Sequence, residues 1–247
     1  ASMQAGAAPR QALRADGLNA SMATDLVEGQ SRQCWTWTGG SCSWNWCDSW
    51  RKADCTASGW FHLCTCGSGC VGADSACHTQ RNVRVAGGIS LENVRFGGYY
   101  LRVPTTWGFT QLRVGTDLDD YAKFDLWEVP GTMSGQKRYV IGPTQLPDNT
   151  LEFATSSSII GSPWKAIDGK PGSWGSAPAD PAHNFWTVCK VNGHVRLGDF
   201  TGAIWAYIHH GSWLAYGWNV EVWRTPSDET EWILTDSSLL GQLDDCS

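Results

Sequence analysis

The sequence predicts an all-β chain built on an internal repeat and preceded by a disulfide-rich module. Three observations lead there. A stretch from Ile89 to Leu126 comes back, altered, between Val195 and Leu234. Apolar residues alternate along both stretches, punctuated by Gly, Pro, Asp and Asn, which is the pattern of short half-buried strands. Eight of the ten cysteines crowd between Cys34 and Cys77.

The repeat sets the architecture. Ile89 and Leu91 are answered by Val195 and Leu197, and Asn93 by Asp199. After a two-residue insertion, Leu112, Val114, Phe124 and Leu126 match Val220, Val222, Trp232 and Leu234 with the same internal spacing. Such a unit cannot bury its apolar face alone and needs its copies. The Gly97–Val103 segment GGYYLRV and the Ala122–Val129 segment AKFDLWEV resemble the fascin-like β-trefoil repeat. That resemblance implies a third unit, whose place is Tyr139 to Val191. Its strands would be Tyr139-Val140-Ile141, Leu151-Glu152-Phe153, and Phe185-Trp186 with Val188, around a Gly-, Pro- and Ser-rich insertion at 156–182. Three units closing on one another remove most exposed strand edges. A competing resemblance, to the opening of a discoidin-type sandwich, rests on Ala154–Ser158, Ala166–Lys170 and Trp174. It leaves the flanking repeats unexplained.

Ahead of the repeat, Cys34, Cys42, Cys47, Cys55, Cys64, Cys66, Cys70 and Cys77 form an even set in a loop-rich segment. On the order of a hundred pairings are open to eight cysteines, so the connectivity is left unassigned. Zinc would want paired C-x-x-C ligands, and that motif is missing. Cys189 and Cys246 remain and are expected to pair with each other. Disulfides in this number imply an oxidising compartment. Cys47-Asp48-Ser49-Trp50-Arg51 and Cys64-Thr65-Cys66-Gly67-Ser68-Gly69-Cys70 resemble short Cys-rich segments of secreted and plastid proteins of dinoflagellates.

The expected organisation is therefore an extended arm over 1–33, the cysteine module over 34–78, a linker over 79–88 ending in Gly87-Gly88, the β-trefoil-like domain over 89–236, and a tail over 237–247. The arm is low in apolar content and should order only against something else; Asn19-Ala20-Ser21 within it is a glycosylation sequon. Ala1 is the kind of small residue left by signal-peptidase cleavage. No apolar run reaches the ~18 residues of a membrane span, so any membrane association would be peripheral. With net charge −6 and 17% charged residues, the chain has no electrostatic footprint for nucleic acid or anionic lipid.

Motifs for chemistry are missing. No nucleophile elbow, phosphate loop, dinucleotide-binding turn or zinc-protease helix occurs. His209 and His210 are neighbours, and adjacent strand residues point to opposite faces. Asp117, Asp119 and Asp120 lack the calcium-loop spacing, and Asp120 matches Asp228 in the repeat, so turn formation explains them. Glu152 and Asp168 are carboxylates that nothing singles out as a catalytic pair. Aromatic residues are the better lead. Trp35, Trp37, Trp44, Trp46, Trp50 and Trp60 lie in the small module, which cannot bury them all. Trp205, Tyr207, Trp213, Tyr216, Trp218 and Trp223 crowd the last unit. The ten tryptophans among these are the candidate contact residues.

These features point to a non-catalytic accessory protein of an oxidising lumen that docks onto a larger protein assembly. The dinoflagellate resemblance implies one setting, the lumenal face of a thylakoid photosystem–antenna complex, where pigment or lipid contacts would follow; no cofactor is expected otherwise. The alternatives are a secreted lectin-like trefoil binding glycans, with Asn93 and Asp199 as the recurring polar residue, and a discoidin-like adhesion module. An enzyme would need a cleft assembled from separate repeats.

Overall fold

A computed structural model of the chain describes residues 36–42, 46–58, 61–103, 112–146, 150–153, 164–167, 184–209 and 219–247. The expected arm and its Asn19 lie outside these residues.

In the module, β1 (Trp37–Ser41), β2 (Asp54–Ser58) and β3 (Phe61–Thr65) form an antiparallel sheet in the order β1-β3-β2. The hairpin β4 (Cys70–Val71) and β5 (Cys77–His78) follows. Cys42 bonds Cys55, Cys47 bonds Cys64 and Cys66 bonds Cys77, and Cys70 is disulfide-bonded as well. The module is thus more regular than the loop-dominated segment that its composition suggested.

The rest is three copies of one four-strand unit. The first holds β6 (Val83–Ile89) running through Ser90 into β7 (Leu91–Asn93), then β8 (Tyr100–Arg102), β9 (Arg113–Gly115) and β10 (Phe124–Glu128). The second holds β11 (Tyr139–Pro143), β12 (Thr150–Phe153), β13 (Trp164–Ile167) and β14 (Thr187–Val191). The third holds β15 (His194–Gly198), β16 (Trp205–His209), β17 (Asn219–Trp223) and β18 (Glu231–Leu234). First and last strands of the units make a closed ring. β10 pairs with β6 and β11, β14 pairs with β15 and meets β11 at the Tyr139–Trp186 bridge, and β18 pairs with β15 and β7. The middle strands make three hairpins, β8–β9, β12–β13 and β16–β17. A six-strand barrel with three hairpins in approximate three-fold symmetry is the β-trefoil. A discoidin-type sandwich has no such ring, and its supposed opening at Ala166-Ile167 falls in β13, inside the stretch expected as an insertion.

Register fixes which residues are equivalent. Ile89, Tyr139 and Val195 face Phe124, Trp186 and Trp232 of their own units. All six are buried in one core with Leu91, Ile141, Leu197, Leu126, Val188 and Leu234. Trp186 donates its indole N–H to Leu151 O at 3.0 Å, and Trp232 does the same to Ala206 O at 3.4 Å. These are the same interaction in two units, and Phe124 fills the third place without a donor. A buried indole needs such a partner.

Two boundaries differ from expectation. Val83–Gly88, read as linker, is strand β6: Gly88 takes φ +67° and donates its N–H to Asp125 Oδ1 at 2.9 Å, a kink that lets the chain enter the barrel with a register shift. The tail also belongs to the domain. Its 3-10 turn Ser237–Gln242 and the following residue send Leu239 and Leu243 into the core. Cys246 bonds Cys189, the expected pairing, and Lys190 and Cys246 exchange backbone hydrogen bonds with the tail and with β14.

The module is fixed to the barrel's outer face. Cys66, Val71 and Ala73 pack on Trp127, Val129, Val140 and Phe185, and Ala73 N–H donates to Pro130 O at 2.8 Å. His78 pairs with Asp74 at 2.8 Å and lies so close over Gly72 that a Cβ there would meet its ring at 2.5 Å. Among the described residues no helix is long and apolar enough to cross a membrane.

Candidate functional site

The trefoil itself uses its polar residues on itself. Asn93 is fully buried, accepts from the N–H groups of Arg95 and Phe96, and donates to Glu229 O. Asp199 accepts from Ala203 N, Ile204 N and Thr201 Oγ1. Both hold the loop that follows the first strand of a unit, and the register puts Pro143 at this place in the second unit. They therefore do not form a recurring ligand pocket. Asp119 caps the 3-10 turn Asp120–Ala122 through Tyr121 N and pairs with Arg102 at 2.7 Å; Asp117 pairs with the same guanidinium at 3.1 Å. Asp228 opens the matching turn in the third unit. Turn formation accounts for these acids, as expected.

Sequence gave no hint of two further polar residues. Arg138 is buried, donating to Phe200 O at 2.7 Å and Lys137 O at 2.9 Å; burial pulls its pKa below the ordinary value, opposed by Asp199 and Asp244. The Tyr139 hydroxyl is buried without a partner among the described residues, and burial, then Glu128 and Asp244, push its pKa above the usual phenol value. On the barrel's outer face Glu231 accepts from Arg196 at 2.6 Å and meets His194 at 3.2 Å. These groups brace strands.

Of the aromatic candidates, Trp205 is buried, at 5% exposure. Its ring lies on Gly198, where a Cβ would sit 2.9 Å away, on the strand face opposite the core residues Ala206 and Ile208. Trp223 pairs with Trp205 in the β16–β17 ladder. Trp35, Trp44, Trp60, Trp213 and Trp218 lie outside the described residues, as do Cys34, His210 and Asp168. The sulfurs of Cys42, Cys47 and Cys64 lie together because two disulfides cross there, so they are not thiolate ligands.

What remains is one edge of the module. Trp46 is 80% exposed and Trp50 is 51% exposed, against a general tendency of Trp to be mostly buried. They flank Cys47, which Cys64 anchors to the sheet, and Asp48, which precedes the 3-10 turn Ser49–Arg51. The turn ends at Lys52 in the left-handed region (φ 49°), whose N–H donates to Ser49 O. Arg51 locks it: Nη1 donates to Thr38 O at 2.7 Å, Nε reaches Asp48 Oδ2 at 3.4 Å, and the guanidinium sits 4.2 Å above the Trp50 ring. Gly40 is needed beneath it, because a Cβ would meet Arg51 Nε at 2.8 Å. Half-buried Trp37 donates to Gly40 O at 2.8 Å. The arrangement is two exposed indoles, Trp46 ahead of the disulfide-bonded Cys47 and Trp50 on the turn that Arg51 braces, beside an exposed carboxylate.

Asp48 differs from its counterparts. Asp119 and Asp236 stand at the same N-cap position of 3-10 turns and accept a backbone N–H two residues on. Asp48 makes no capping bond, so its carboxylate faces outward at 67% exposure.

No protein-family model and no curated protein matches the chain, so the likeness of its cysteine spacing to dinoflagellate segments stands on those residues alone. Among solved structures it is similar to a mosquitocidal holotoxin (14% identity, TM-score 0.45, 59% of this chain and 16% of that one). It is similar to ThreeFoil, a designed three-fold symmetric protein (15%, 0.44, 60% and 97%). It is also similar to a lectin of Polyporus squamosus bound to a sialylated epitope (13%, 0.42, 61% and 49%). The chain thus spans less than a fifth of the holotoxin it matches.

Proposed function

We propose that this chain is a non-catalytic carbohydrate-binding protein of an oxidising compartment. Its ligand rests on the Trp46–Trp50 edge, and the β-trefoil is the pedestal that carries the module. The observation that supports this most is Trp46: a large ring 80% exposed, next to Cys47, which a disulfide anchors to the sheet. Leaving an indole exposed forgoes about 1.5–3 kcal/mol of burial, which a binding role explains. A pyranose offers an apolar C–H face that fits an indole and hydroxyls that fit a carboxylate. Preorganisation lowers the entropy lost on binding. The disulfides are consistent with the compartment.

The docking of the chain on a photosystem–antenna assembly, expected from the cysteine spacing, is not carried forward. The arm on which it leaned lies outside the described residues, and no comparison lends it support. The test is a glycan array probed with the full chain and with Trp46→Ala and Trp50→Ala. Binding to at least one saccharide class, lost in Trp46→Ala with unchanged melting, is the expected result. Binding indifferent to both substitutions would reject the site.

A further inference from the structure

We infer that the Trp46–Asp48 edge selects saccharides that carry protonated amines, hexosamine polymers of the chitosan type, over neutral and acidic ones. The inference rests on the saccharide reading above and sharpens it. The molecule already displays the chemistry internally, because the Arg51 cation stacks on Trp50 at 4.2 Å while contacting Asp48 at 3.4 Å. A cation held between an indole face and a carboxylate is thus the arrangement that this turn stabilises. Trp46, on the other side of Asp48 in sequence, offers the same kind of face, with no cation on it among the described residues, and is the most exposed large apolar residue described.

The carboxylate is free to act. Asp48 is not engaged in capping its turn, its Oδ2 has only a long contact with Arg51, and within the described residues its Oδ1 accepts no hydrogen bond. A protonated amine on a sugar stacked at Trp46 would gain a cation–π contact and a charge-assisted hydrogen bond. An acidic sugar meets Asp48 instead, in a chain of net charge −6. On this turn Arg51 is already held by Thr38 O, Asp48 and Trp50; Lys52 follows it in sequence, and the test includes it.

The full chain is titrated, with tryptophan fluorescence and calorimetry as readouts, with a chitosan oligosaccharide, its fully N-acetylated equivalent and a sulfated oligosaccharide of equal length. At a pH where the amines are protonated, the deacetylated form is expected to bind about fivefold tighter than the acetylated one, the gain of one exposed cation–π contact. That preference should shrink with salt and vanish when the amines are neutral. Asp48→Asn should reduce the preference, Asp48→Glu should restore it, and Trp46→Ala should lose both ligands. Equal or tighter binding of the acetylated form that still needs Trp46 overturns the amine selectivity and leaves the saccharide reading standing. Tightest binding of the sulfated form, lost in Lys52→Ala, overturns it too. If no oligosaccharide binds, or binding ignores Trp46, the saccharide reading itself falls.

Discussion

Replacing Cys189 and Cys246 together by alanine removes the bond that ties the tail to the middle of β14. The bridge spans 57 residues, and closing a loop of that size in the unfolded chain is worth about 4 kcal/mol. The Cys66–Cys77 bridge, spanning 11 residues, is worth about 3 kcal/mol on the same basis. The tail keeps other ties when the bond is gone: Leu239 and Leu243 remain apolar plugs in the core, and Lys190 N–H still donates to Asp244 O at 2.8 Å. The folded state is therefore expected to survive while the unfolded state gains freedom. With an m-value of about 3 kcal/mol/M, the urea midpoint should fall by about 1.3 M, followed by tryptophan fluorescence under non-reducing conditions. A midpoint within about 0.3 M of wild type would refute the argument, since it would mean the tail contributes nothing as a tether. Mapping Cys189 or Cys246 to another partner in the native protein would refute it at the source.

Trp186→Phe should destabilise the protein by about 2–4 kcal/mol, because it empties part of the core and orphans Leu151 O. Trp232→Phe should cost less, its hydrogen bond being longer; denaturant titration of both decides. Asp199→Ala strips the loop N–H of Ile204 of its acceptor and leaves that of Ala203 with the longer bond to Thr201 Oγ1, for a loss of about 1–3 kcal/mol read in the same way. Tyr139→Phe removes a buried hydroxyl that has no partner and should be neutral or stabilising at neutral pH. The native state holds the Tyr139 proton more tightly than the unfolded chain. Its contribution is therefore complete below the unfolded phenol value of about 10 and lost as pH rises beyond it. Alkaline unfolding curves of wild type and Tyr139→Phe should diverge above that point.

The barrel was legible because its core demands a period of two and the units repeat it. Leu91 with Leu197 and Phe124 with Trp232 keep their spacing, and the structure places each pair at equivalent ladder positions. The Cys189–Cys246 pairing followed from parity and position. Strand β6 was not legible, since Gly87-Gly88 reads as punctuation until Asp125 is seen to catch Gly88 N–H from 37 residues away. Nor could the sequence tell an Asn or Asp that feeds a ligand from one that feeds its own loop; Asn93 and Asp199 do the second. Trp205 and Trp46 have the same side chain and opposite fates. The first is covered over Gly198 on the strand face away from the core, whereas the second sits next to a disulfide in a module too small to cover it.

Closure of the ring has a consequence for synthesis. The first and last units meet where Ser90 N–H donates to Thr235 Oγ1, 145 residues apart in the chain, and where β18 lies against β7. Until the ribosome has released Leu234, β7 has no partner on one side and the opening units present a raw strand edge. Long-range pairing of this kind folds slowly and exposes nascent edges to aggregation. The disulfide module is complete long before that moment. It can oxidise and fold first, and its apolar side, Val71 and Ala73 against Trp127 and Val140, then shields the outer face of the half-built barrel while the closing strand is awaited.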